Sequence, residues 1–167
     1  MLRTHNREIT CGLFGHSFEE YRDRYGDDLR LIQKYQIELY KLIDEQIATG
    51  MRSFVSLLQP GVALWMSDYV LMQRDALRHL GLQLHILYTQ PALNSADGLG
   101  KKVLQCADST ALIHSHRAFN QFLELIERSI KMLVVERYSG IEVLCSYATS
   151  VGIHVQRYAM PELVNCN

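Results

Sequence analysis

The chain has almost no net charge: 17 Lys and Arg stand against 18 Asp and Glu over 167 residues, a formal −1. So balanced a surface has no long-range field to draw in nucleic acid or an anionic membrane, and no dense Lys/Arg run supplies a local one. Nucleic acid is disfavoured as a partner. No uncharged apolar run approaches the ~20 residues of a bilayer span, which removes the membrane as well. The four cysteines, Cys11, Cys106, Cys145 and Cys166, form no C-x-x-C pair, so neither a zinc knuckle nor a thioredoxin-type motif is indicated. Cys11 and Cys145 lie among apolar neighbours, as buried thiols do. The stretch Met1–Glu8 carries charge but no apolar h-region, and the expected compartment is a reducing cytoplasm.

Three catalytic or phosphate-binding fingerprints are also missing. There is no G-x-G-x-x-G after the first strand-like segment and no G-x-x-x-x-G-K-[ST] anywhere, which argues against a common dehydrogenase and a P-loop NTPase. No G-x-S-x-G elbow is present for a nucleophilic serine. No cofactor is implied. What remains is an ordinary globular composition, 48% apolar and 21% charged, in a chain long enough for one domain. A single domain of this length buries roughly 70% of the surface its unfolded form exposes.

Strand-like and helix-like segments alternate along the whole chain. Ile9–Gly15, Arg52–Leu58, Gln83–Thr89, Thr110–Ser115, Met132–Arg137 and His154–Tyr158 read as strands. Between Asp28 and Thr49 the residues Ile32, Tyr35, Leu39, Leu42, Ile43 and Ile47 recur at helical spacing, with Lys34, Glu38, Lys41 and Glu45 elsewhere on the helix. Gly61–His79, Lys101–Ala107, His116–Arg128 and Gly140–Val151 are further helices, and residues 90–100 read as loop. Thr49-Gly50, Leu80-Gly81 and Val151-Gly152 each place glycine between a helix and the next strand, where a left-handed residue closes the helix. Crossovers of this length predict right-handed βαβ units. The expected fold is α/β: a single Rossmann-like, doubly wound, mostly parallel sheet with helices on both faces.

In such a sheet the loops after the strands gather at its C-terminal edge, beside the topological switch point. The most informative of them runs from Val55 to Asp68, leaving a strand, turning through Pro60-Gly61 and entering a helix. Free N–H groups at a helix start suit an anion, yet Leu57, Leu58 and Ala63 stand where a phosphate cradle has glycine or polar groups. The candidate ligand-binding residues are Gly15, His16 and Ser17 after strand one, and Ser56 and Gly61 after strand two. His116 and Asn120 follow strand four, and Ser139 and Gly140 follow strand five. Trp65 reads either as a base-facing aromatic or as a core tryptophan, and Asp68 either as a ribose contact or as an internally paired carboxylate. His114, His116 and His16 have no carboxylate or cysteine to complete a metal site, so none is expected. For acid–base chemistry Asp68 and Glu142 are the only carboxylates placed to act.

The order of these motifs resembles the YpsA-like branch of the SLOG superfamily, a group of uncharacterised bacterial proteins. Gly15-His16 ends a strand, Phe54-Val55-Ser56 leads into Gly61-Val62 and Leu64-Trp65, and an Asn120 helix and a strand with a Gly140 turn follow. The resemblance runs from about Glu8 to about Tyr158, within a single domain of residues 1–167. The superfamily groups Lonely Guy phosphoribohydrolases with the DNA-processing protein A family and predicted sensors of nucleotide-derived ligands. It implies a Rossmann-like cleft at the positions named above.

The departures from the family pattern fall on the chemistry. Ser17 stands for the family's arginine, Leu57 for a glycine, Ala63 for an aspartate, Met66 and Ser67 for two alanines, and Asp68 for a glutamate. Ser139-Gly140-Ile141 keeps one of two glycines, and the Pro-Gly-Gly-x-Gly-Thr-x-x-Glu signature is absent. Losing an arginine removes a bidentate phosphate clamp. Charge-assisted hydrogen bonds contribute roughly 1.5–3 kcal/mol each, so two such losses weaken affinity by about two to four orders of magnitude. The expectation is a non-catalytic domain that binds a nucleotide-derived small molecule or serves as an interaction scaffold. The alternatives are a nucleoside-monophosphate phosphoribohydrolase using Asp68 or Glu142, and a single-stranded DNA-binding protein. Apolar residues on the helices of residues 61–79 and 117–130 also suggest a homo-oligomer.

Overall fold

A computed structural model of the protein describes residues 6–115, 117–136 and 141–159. Six strands form one sheet: β1 Thr10–Gly15, β2 Ser53–Leu57, β3 Gln83–Tyr88, β4 Ser109–Leu112, β5 Lys131–Glu136 and β6 His154–Ala159. Among the described residues seven α-helices accompany them: α1 Phe18–Tyr25, α2 Leu29–Ala48, α3 Val62–Ala76, α4 Gln90–Ser95, α5 Gly98–Cys106, α6 Ala118–Arg128 and α7 Glu142–Ser150. The spatial order is β4-β3-β2-β1-β5-β6, and every adjacent pair is parallel. The chain steps outward from β1 to β4, then crosses back to lay β5 on the other side of β1. The topological switch point therefore lies between β1 and β5.

Alternation along each strand sorts the side chains into two cores. Cys11, Leu13, Phe54, Leu84, Ile86, Leu133 and Val135 meet α2, α3 and α5 on one face. Val55, Leu57, Leu87, Met132 and Val134 meet α6 and α7 on the other. The α/β doubly wound fold is thus the one expected, with the sheet parallel throughout. The stripe on α2 behaves as its spacing requires, burying Tyr35, Leu39, Leu42, Ile43 and Ile47. The three glycine joints also adopt positive φ, at 101° for Gly50, 65° for Gly81 and 86° for Gly152.

Two segments differ from the sequence expectation. Residues 90–100 are mostly helical, because Thr89 caps α4 by accepting from Ala92 N–H and Asp97 caps α5 by accepting from Gly100 N–H. Helix α1 was not foreseen at all, although Ser17-Phe18-Glu19-Glu20 carries a capping box. Among the described residues no helix is long and apolar enough to cross a membrane.

Candidate functional site

The ends of β1 and β2, where the ligand cleft was expected, are joined by backbone. Phe18 N–H donates to Pro60 O at 3.3 Å, Val62 N–H donates to His16 O at 3.1 Å, and Ser17 forms an antiparallel bridge with Gly61. On the other side His16 N–H donates to Val135 O at 3.1 Å, tying the same loop to β5 across the switch point. Gly15, His16, Ser17 and Gly61 are therefore brought together, but onto one another.

Several of the donors that would greet an anion are already engaged. At α1 the Glu20 N–H donates to Ser17 Oγ, and Ser17 N–H donates to Glu20 Oε2, so the chain's own carboxylate occupies that helix start. At α3 the first N–H, that of Val62, is taken by the His16 carbonyl. The glycines serve the same closure. A Cβ on Gly61 would lie 2.6 Å from the His16 carbonyl oxygen, and one on Gly15 would lie 2.3 Å from Val62 Cγ2. Glycine here admits a neighbouring segment of chain. A crevice between these segments, lined by Leu13, Phe14, Gly15, Leu57, Gln59, Pro60, Gly61 and Ala63, has a volume of about 20 Å³. That is room for about one water molecule.

His16 and Trp65 belong to an aromatic cluster beneath α1. His16 is 4% exposed and stacks on Tyr35 with centroids 6.0 Å apart. Trp65 is half-buried and meets Phe18 at 4.8 Å and Tyr21 at 5.5 Å, while Tyr21 stacks on Tyr35 at 5.2 Å. The Tyr21 and Tyr35 hydroxyls are buried and have no hydrogen-bond partner among the described residues. Burial pushes the Tyr21 phenol up to about 12, aided by neighbouring Tyr25, and pushes Tyr35 further in the same direction. Of the two readings of Trp65, packing against Phe18 and Tyr21 is the one the structure contains.

The remaining candidates are dispersed. Ser56 sits inside the sheet between Leu13 and Ile86 and is fully buried. Asp68 Oδ1 lies 2.7 Å from Lys102 Nζ, an ion pair that links α3 to α5, and hydrogen bonding to Asp68 raises the Lys102 ammonium. Asn120 is exposed on α6. His116, Ser139 and Gly140 lie outside the described residues. Among the described residues no group of three or more His, Cys, Asp or Glu is placed to hold a metal ion.

Two polar groupings at this edge were not foreseen. Glu136, the last residue of β5 and 8% exposed, accepts from the Arg157 guanidinium on β6, which also donates to both oxygens of Glu142 at 2.8 Å. Glu142 thus stands in an Arg157-centred triad. Gln59 Nε2 donates to Gln121 Oε1 at 2.5 Å, and Gln121 Nε2 donates to Ser115 O at 3.1 Å, crossing from the β2 loop to α6. An acidic residue closing the apolar run Met132–Val135 was the available signal for Glu136. Nothing local marks Gln59 or Gln121, because their partner is 62 residues away. No family model matches the sequence, and no curated protein matches it either.

Proposed function

We propose that the protein is a non-catalytic, Rossmann-like domain of SLOG-type descent that works as an interaction scaffold and holds a nucleotide-derived ligand weakly or not at all. One observation carries this reading: the loop after β1 pairs by backbone with the loop after β2, in the place where a phosphate would sit. A ligand there must first break the pairing between residues 15–18 and 60–62. The ordinary Rossmann arrangement instead leaves helix N–H groups and a glycine turn free for the anion.

The phosphoribohydrolase alternative draws no support from the surroundings of its two carboxylates. Asp68 is held by Lys102 and Glu142 by Arg157, and they sit on different helices on opposite faces of the sheet. To serve as the general acid or base, either group must leave its cation to reach a substrate proton. Single-stranded DNA binding draws no support from the near-neutral charge.

Thermal-shift titration with ADP-ribose, NAD, AMP and cyclic nucleotides at millimolar concentration tests the proposal. A ligand present at 100 times its Kd stabilises by about 2.7 kcal/mol. In a chain of this size that is a rise of roughly 5–11 °C in Tm. We expect a shift within scan error for all four. A rise of several degrees with any of them overturns the scaffold reading and restores a ligand cleft.

A further inference from the structure

Helix α1 is fastened to the molecule differently from its neighbours. Of the described helices with eight or more residues it buries the fewest side chains, Tyr21 alone, whereas α3 buries seven. Its polar groups are engaged within the segment itself. Ser17 and Glu20 cap the helix reciprocally, Arg22 lies 3.8 Å from Asp27, and the Arg24 guanidinium stands over the Tyr25 ring. The helix meets the body through rings, with Phe18 and Tyr21 on Trp65 and Tyr21 stacked on Tyr35. That contact has a counterweight. It leaves the Tyr21 and Tyr35 hydroxyls buried with no partner among the described residues, and both would reach water if the helix lifted.

The two ends of the segment differ from its middle. Before it, His16 is fixed on both sides, its N–H donating to Val135 O and its carbonyl accepting from Val62 N–H, each at 3.1 Å, so bending falls after it. The bond from Phe18 N–H to Pro60 O, at 3.3 Å, is then the backbone tie between α1 and the loop after β2. Behind it, residues 26–30 are all exposed, and Gly26 closes α1 at a φ of 68° with open space where a Cβ would stand. We propose that residues 17–26 form a lid that opens as a unit, turning at Ser17 and Gly26, over a floor of His16, Tyr35 and Trp65. Opening breaks the Phe18–Pro60 bond and the ring contacts, hydrates the two phenols and bares Tyr35 and Trp65 beside the C-terminal edge of the sheet. The strands, α2 and α3 keep their packing, because the core they share takes one fully buried side chain, Tyr21, from α1.

The lid goes beyond the scaffold reading and does not depend on it. The bond from Val62 N–H to His16 O stays made when α1 lifts, and a nucleotide-induced rise in Tm would leave the behaviour of the free chain unchanged. The two proposals therefore fail separately.

Amide hydrogen exchange of the full chain, read by NMR, tests it. A helix of eight residues does not keep its hydrogen bonds away from its packing, so the α1 amides exchange whenever the lid opens. We expect Tyr21 to Gly26 to exchange about tenfold to a thousandfold slower than an unstructured peptide, and about a hundredfold or more faster than Val70 and Leu71 of α3. Guanidinium below the unfolding transition should speed Val70 and Leu71 steeply and α1 hardly at all, because lifting one short helix exposes little surface. Val103→Ala empties a fully buried position of α5 in the same core as Val70 and Leu71. It should speed those two amides about tenfold or more and leave the α1 amides within about twofold of the parent chain. The proposal is overturned if α1 exchanges as freely as a peptide or as slowly as Val70 and Leu71. It is equally overturned if guanidinium or Val103→Ala speeds both sets in proportion. The guanidinium series uses the parent chain, so it decides the matter even where Val103→Ala does not fold.

Discussion

At the β1–β2 end of the sheet's C-terminal edge, the chain closes on itself through main-chain hydrogen bonds and glycine-sized gaps. At the β5–β6 end the same edge is held by charged side chains, with Arg157 between Glu136 and Glu142. The difference lies in what can be altered. Backbone closure is indifferent to most side-chain changes and fails only where a Cβ intrudes. A charge triad depends on each member, because removing the cation leaves a carboxylate that is mostly out of water.

The first way to break this contrast is a single methyl group. Gly61→Ala would place Cβ 2.6 Å from the His16 carbonyl oxygen and 3.2 Å from Ser17 Cα, both main-chain atoms with little room to yield. We expect a loss of about 3 kcal/mol, at the upper end of overpacking costs, and a fall in Tm of roughly 6–12 °C. Gly15→Ala meets a side chain, Val62 Cγ2, so Val62→Ala should recover much of its loss while recovering none from Gly61→Ala. If Gly61→Ala unfolds like the parent chain in a denaturant titration, the loops are not closed.

Arg157→Met probes the other end. It leaves Glu136 buried without its cation, which should cost about 2–3 kcal/mol, below the 3–5 kcal/mol of fully buried pairs because the guanidinium is partly open to water. Adding Glu136→Gln should restore a large part. A double-mutant cycle in which the two losses simply add would show no coupling between β5 and β6 here.

The smallest effect concerns the aromatic cluster beneath α1. Tyr35→Phe removes a buried hydroxyl that has no partner among the described residues, so stability should hold or rise by up to about 1 kcal/mol. The pH dependence follows from the direction of the tyrosine shifts. A phenol whose folded pKa is raised contributes stability that is fully present below the ordinary tyrosine value of about 10 and is lost as pH climbs through the folded value. With Tyr21 near 12 and Tyr35 shifted further in the same direction, the protein should lose stability from about pH 10 upward. The Tyr21→Phe/Tyr35→Phe variant should lose less, as read by guanidinium midpoints on either side of pH 10. An equal loss in both proteins would place the alkaline transition elsewhere.

Much of the fold was legible because its signals are local. The α2 stripe, the six short apolar runs and the glycines before β2, β3 and β6 each reflect a conformational demand met within a few residues. Helix α1 was equally legible in Ser17 and Glu20, but its short polar run buries only Tyr21, so no apolar periodicity drew attention to it. The site was legible only in part. Gly15 and Gly61 correctly signal close approach, but the same missing Cβ admits a phosphate or another strand of chain. Asp68 and Glu142 could not reveal that Lys102 and Arg157 would reach them.

By itself, then, the sequence determined a mostly parallel, doubly wound sheet and, in Gly15 and Gly61, the two places where its chain must pass closely. Periodicity and glycine act within a turn or a strand, where neighbours in sequence are also neighbours in space. Only the tertiary structure decided what fills those places, His16 and Ser17 lying on Pro60–Val62, and that Glu136 and Glu142 share Arg157 at the other end of the edge. Bonded partners here are 15 or more residues apart in sequence, and the fold brings them together.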